Sequence, residues 1–93
     1  MARITSPTAG ASVGCGITII GTCDGDPVTV EIRDTSGRHI NGAPAEAKCN
    51  DGHFSLDYEI CGISSGTEIV IRAEDSGGAD EVAVRLTDDC PEC

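Results

Sequence analysis

The sequence predicts an all-β protein, an antiparallel two-sheet sandwich of about seven short strands. Three observations carry that prediction. Apolar and polar residues alternate with a period of two in segments 15–23, 28–34, 53–60, 67–75 and 80–87, the pattern of strands with one buried face. Turn-forming Gly, Pro, Asp and Ser separate these segments at near-regular spacing, as in small sandwiches. No segment carries the helical period of about 3.6 residues.

Residues 2–5 read as a short first strand, stopped at Ser6-Pro7 because proline withholds a ladder donor. The chain passes Gly10 and resumes near Val13. Cys15 to Cys23 is the strongest strand signal: Ile17, Ile19, Gly21 and Cys23 share the inward face, while Thr18, Ile20 and Thr22 face out. Asp24-Gly25-Asp26-Pro27 is a turn by composition. Val28, Val30 and Ile32 then point inward against Thr29, Glu31 and Arg33, and Thr35-Ser36-Gly37-Arg38 turns again. Residues 39–50 are the least regular, with Gly42 and Pro44 allowing only a short edge strand around 45–49. Asp51-Gly52 is a hairpin signal that launches inward Phe54, Leu56, Tyr58 and Ile60. Ile69, Ile71 and Ala73 follow, with Val70 outward; after Ser76-Gly77-Gly78, inward Val82, Val84 and Leu86 close the domain. The expected division is one domain over 1–89 and a cysteine-bearing tail over 90–93.

Ninety-three residues support one modest core. That core is aliphatic, since Phe54 and Tyr58 are the only aromatic residues, and small cores of this kind are commonly reinforced by cross-links, for which six cysteines are present. Sixteen acidic residues against six basic ones, a formal charge of -10, exclude nucleic acid as a partner because phosphates need Lys and Arg to neutralise them. Polybasic attraction to anionic membranes fails for the same reason, and no apolar run is long enough for membrane insertion. Met1 to Pro7 has no apolar core of a signal peptide, whereas the cysteine usage points to an oxidising environment. The two fit a protein made in the cytosol and exposed later on a virion surface, or an extracellular protein whose leader has been replaced by Met1.

Ile4-Thr-Ser-Pro-Thr-Ala-Gly, Ile17-Thr-Ile-Ile-Gly-Thr-Cys, Val28-Thr-Val-Glu-Ile, Asp51-Gly-His-Phe-Ser and Glu68-Ile-Val-Ile-Arg-Ala-Glu-Asp together resemble the bacterial immunoglobulin-like domains of cell-surface proteins and phage virion proteins. The resemblance covers nearly the whole chain and implies an immunoglobulin-like antiparallel β-sandwich. The chain departs from that pattern in its cysteine content, since such domains are generally poor in cysteine.

The resemblance makes 15–23 and 53–60 antiparallel neighbours in one sheet. Opposed residue numbers then sum to a constant, and 76 for Cys15 with Cys61 and 72 for Cys23 with Cys49 fit one register within a few residues. Disulfides Cys15–Cys61 and Cys23–Cys49 are therefore expected, leaving Cys90 and Cys93 for a local bridge or a link to a neighbouring subunit. Six cysteines allow fifteen complete pairings, so the others stay open. Cys90-Pro91-Glu92-Cys93 has the spacing of a redox motif but follows a strand among acids, where a thiol is not activated. Cys15, Cys61, Cys90 and Cys93 fall at one pole of the sandwich, which admits a four-thiolate zinc site as an alternative.

Asp24 and Asp26, and separately Asp75 and Asp80, are candidate calcium ligands at loop ends, although no EF-hand spacing is present. His39 and His53 read as solvated surface, because no nucleophile or orienting group can be placed beside them. Ile20 and Val70 are outward apolar residues on different sheets and are candidate packing contacts. No catalytic set and no cofactor motif emerge. The expected role is a non-enzymatic subunit or decoration on the exterior of a larger assembly, a phage virion or an extracellular filament, whose partners are protein subunits, copies of itself included. The alternatives are one repeat of a bacterial cell-surface adhesin binding glycan or protein, and a small zinc-binding protein.

Overall fold

The segments with the cleanest alternation are the long strands of the protein, because a strand that buries one face must place an apolar residue at every second position. A computed structural model describes residues 1–40 and 44–92. Gly42, with its neighbours 41 and 43, and Cys93 lie outside the described residues. Among the described residues eight strands occur: β1 (Arg3–Ser6), β2 (Ser12–Val13), β3 (Gly16–Thr22), β4 (Val28–Asp34), β5 (Ala45–Ala47), β6 (His53–Glu59), β7 (Glu68–Asp75) and β8 (Gly78–Leu86).

They form two sheets, β1-β3-β6 and β2-β8-β7-β4-β5. All pairings are antiparallel except that of β2, which runs parallel to β8 through Ser12↔Arg85 and Val13↔Leu86. This two-residue strand is where the chain resumes near Val13, and it raises the count above seven. β8 also starts earlier than expected, at Gly78, where a tight turn pairs Asp75 with Gly78.

The inward rows meet in one core. Ile17 and Ile19 of β3 and Phe54 of β6 pack toward Val28, Val30 and Ile32 of β4, Ile69 and Ile71 of β7, and Val84 and Leu86 of β8, all buried. Gly21 is required by this packing. A methyl group at position 21 would sit 1.9 Å from the Arg3 carbonyl oxygen and 2.4 Å from the Phe54 ring, so the bare backbone lets β1 close over the edge of the core while Phe54 fills the gap opposite. At the Asp51-Gly52 turn both residues take positive φ, 52° and 79°, the geometry of a two-residue hairpin connection.

Candidate interaction site

The β3–β6 register decides the fate of the cysteines. Gly16 opposes Glu59 and Thr22 opposes His53, so opposed numbers sum to 75 and Cys15 lies across from Ile60, whose N–H donates to the Cys15 carbonyl at 2.7 Å. Cys61 is one residue further and therefore faces away from the core side that Cys15 shares with Ile17 and Ile19. A one-residue offset flips a side chain to the other face of a sheet. The expected Cys15–Cys61 bridge is thereby overturned: Cys15 is bonded to Cys90, and Cys61 is disulfide-bonded elsewhere. Cys23 is bonded to Cys49. Both described bridges run from an end of β3 to a segment leaving the other sheet, after β8 and after β5.

Cys90 is only 5% exposed and forms a bridge pairing with Ile63, so it belongs to the core. Its bond to Cys15 also rules out a local Cys90–Cys93 bridge. The zinc alternative fails on the same chemistry. Cys15, Cys61 and Cys90 do meet at one pole, but all three are in disulfides, and a disulfide sulfur is not the thiolate that zinc requires.

The loop carboxylates at the opposite pole are engaged by backbone amides. Asp75, whose side chain is fully buried, accepts from Asp24 N–H at 2.8 Å and Gly25 N–H at 3.3 Å through Oδ2, and from Gly77 N–H at 2.8 Å through Oδ1. The Asp24 backbone bond foremost, with those of Gly77 and Gly25, holds its carboxyl down at about 2 against the opposing effect of burial. Asp26 Oδ1 accepts from Cys49 N–H at 2.9 Å, and Asp80 Oδ2 accepts from Ile4 N–H at 2.9 Å. Three of the four candidate calcium ligands, Asp26, Asp75 and Asp80, thus serve separate backbone sites, the Asp24 carboxylate pairs with the Met1 ammonium, and no group of three potential metal ligands occurs among the described residues.

The outer faces of the two sheets differ in chemistry. On the five-stranded sheet, Arg33 pairs with Glu31 at 2.6 Å, His39 Nε2 lies 3.4 Å from the same carboxylate, and Arg72 pairs with Glu74 at 3.1 Å. Val70 stands half-buried among them, opposite Arg33 and Ala83. On the three-stranded sheet the short residues Thr5, Thr18, Thr22 and Ser55 surround Ile20, which is 43% exposed, while Arg3, His53, Asp57 and Glu59 stand on the same outward rows. A shallow cleft of about 470 Å3 opens there, lined by Gly16, Ile17, Thr18, Asp57, Tyr58 and Glu59.

Sequence reasoning singled out Ile20 but missed the backbone beside it. Bonds from Ile60 N–H to Cys15 O and from Cys23 N–H to Gly52 O bracket the β3–β6 ladder, so even-numbered β6 residues bond β3 and odd-numbered ones direct N–H and C=O the other way. No described strand covers that side. The signal that reveals it is the parity of the register, which no side-chain pattern carries. His53 opens the strand, its backbone already bonded to Asn50 in the turn.

No protein-family model matches the sequence, and neither does any curated protein. Solved structures do match. An engineered protein aligns over 94% of this chain and 20% of its own, with TM-score 0.62 and 21% identity. The twitchin kinase region from C. elegans aligns over 94% of this chain and 16% of its own, with TM-score 0.52 and 20% identity. Titin domains Z1Z2, solved in complex with telethonin, align over 96% of this chain and 48% of theirs, with TM-score 0.50 and 17% identity. The chain therefore spans about a fifth or less of the first two of these proteins. No helix among the described residues is long and apolar enough to cross a membrane. Two sheets, eight strands, two described disulfides and these neighbours make the fold an immunoglobulin-like β-sandwich.

Proposed function

We propose that the chain is a non-enzymatic interaction module, a subunit or decoration on the exterior of a larger assembly such as a phage virion or an extracellular filament. The observation that supports it is the three-stranded sheet, which presents exposed Ile20 among short Thr and Ser side chains and leaves β6 without a described neighbour on one side. Such a surface suits docking against protein, and isolated loop carboxylates committed to backbone amides suit scaffolding better than chemistry. Disulfides persist in oxidising environments, which agrees with an extracellular or virion-surface location. Titin Z1Z2 in complex with telethonin illustrates the same fold joining another protein.

Microscopy and composition analysis of the native material test this reading. The expected result is many copies of the chain at regular positions on the outside of a particle or filament. Native protein recovered as a lone monomer would sink it, and a parent gene encoding a run of similar domains that bind glycan would favour the adhesin repeat instead.

A further inference from the structure

Among the described edge strands, β6 is the one built to accept another strand. β1 is broken by a register shift between Ile4 and Ser6 and followed by Pro7, β2 has two residues and β5 has three. β6 runs for seven residues without Pro, Gly, Lys or Arg. Ser55 and Asp57, both exposed, turn their backbone N–H and C=O groups to the open side, and no described residue bonds them there. Acidic side chains commonly guard such edges. Here Thr18 Oγ1 donates to Asp57 Oδ1 at 2.8 Å, which draws that carboxylate over β3 and away from the edge.

We propose that β6 pairs antiparallel with β6 of a second copy of this chain, about a two-fold axis beside Leu56. The inference rests on the reading of the chain as an interaction module and names one partner for it. The strand's own sequence selects that partner and register. Centred on Leu56, Ser55 of each copy opposes Asp57 of the other. The two pairs exchange N–H···O bonds in both directions, so that all of the open-side groups of these residues are satisfied. Leu56, half-buried in the single chain, meets Leu56 of the second copy on the core side. His53 comes opposite Glu59 of the second copy, an imidazole facing a carboxylate. Neighbouring registers are poorer. Centred on Ser55, the pairing sets Asp57 against His53, whose backbone is already bonded to Asn50; centred on Asp57, it sets two carboxylates face to face. The product is a continuous sheet in the order β1-β3-β6-β6-β3-β1, with Ile20 of both copies on one surface.

The formal charge of -10 on each copy opposes the approach, so pairing should strengthen with salt as the screening length falls from about 30 Å at 0.01 M to about 8 Å at 0.15 M. The test is sedimentation of the full, disulfide-intact chain over a concentration series reaching about 1 mM, at low and high salt, with amide hydrogen exchange on the same samples. The expected result is a doubled mass, more complete at high salt, with exchange at the Ser55 and Asp57 amides slowed about tenfold or more on pairing. Ser55→Pro removes an N–H that the β3 ladder does not use, a substitution that edge strands tolerate, and should abolish the dimer; Ile20→Lys, on the outer face, should leave it. A monomeric mass throughout, a dimer that survives Ser55→Pro, or one that Ile20→Lys abolishes overturns the proposal. Should Ser55→Pro fail to fold, the exchange data decide: rapid exchange at Ser55 and Asp57 in a sample of doubled mass overturns it equally. A chain monomeric in solution yet present in many copies on a native particle removes self-pairing and leaves the assembly role standing.

Discussion

The two ends of the sandwich are closed by different chemistry. Where β3 begins, the Cys15–Cys90 bond spans a sequence separation of 75, and backbone bonds surround it: Ile60 N–H to Cys15 O at 2.7 Å, Cys90 N–H to Ile63 O at 2.7 Å and Gly62 N–H to Pro91 O at 2.9 Å. Where β3 ends, the Cys23–Cys49 bond spans a separation of 26, and carboxylates do most of the remaining work through Asp26, Asp75 and Asp80. The difference teaches that a turn which leaves N–H groups without a strand partner needs side-chain acceptors, and that ionised acceptors bring acid sensitivity with them. The first end has carboxylate acceptors too, Asp89 for Ser65 N–H at 2.8 Å and Asp34 for Ser36 and Arg38 N–H at 3.0 and 3.1 Å, but neither is fully buried as the Asp75 side chain is.

The largest expected effect comes from deleting the bridges as pairs. Chain-entropy estimates give about 4.5 kcal/mol for Cys15→Ser with Cys90→Ser and about 3.5 kcal/mol for Cys23→Ser with Cys49→Ser, against a total stability of roughly 5–15 kcal/mol for a domain. Urea unfolding of both variants checks the order, and a greater loss from the second pair would show that loop length does not govern these ends. Gly21→Ala should cost about 2–3 kcal/mol by overpacking, with hydrogen exchange rising first in β1, whose Arg3 carbonyl meets the new methyl group. Unchanged stability in that variant would mean that β1 shifts freely, contrary to the tight seat described above.

The smallest effect at neutral pH, and the one that separates the ends most cleanly, belongs to Asp75. Its carboxyl is lowered from 3.8 to about 2, so its stabilising contribution is complete above about pH 4 and is lost as the pH falls toward 2. Acid should therefore cost the end at Asp24–Pro27, with its buried Asp75, more than the end at Cys15, whose Asp34 and Asp89 are less buried. Asp75→Asn offers only one carbonyl oxygen for two sets of N–H donors and should flatten the pH dependence of stability over that window. Exchange at the Asp24, Gly25 and Gly77 amides reports it; an acid profile identical to that of the parent chain would remove Asp75 from the account.

Most of the fold was legible because strands write themselves locally. Ile17, Ile19, Val28, Val30, Ile32, Ile69, Ile71, Val84 and Leu86 are all buried, each placed there by a period of two that needs no knowledge of its partner. Ile20 was legible as an exposed residue for the same reason. β2 was not foreseen as a strand pairing parallel to β8, since two residues leave too short a pattern. The open side of β6 was invisible because it is a property of backbone parity, and backbone groups are the same in every residue.

The sequence by itself determined the long strands, the turns between them and most of the side chains that enter the core, all set by neighbours within a few residues. Tertiary structure alone decided the partner of Cys15. Its choice depends on a register that differs by a single residue from the one the cysteine spacing suggests, 75 in place of 76. In a sheet that one residue is the difference between the inner face and the outer, so the sulfur of Cys61 turns away and Cys90, carried in by β8 and Ile63, takes its place.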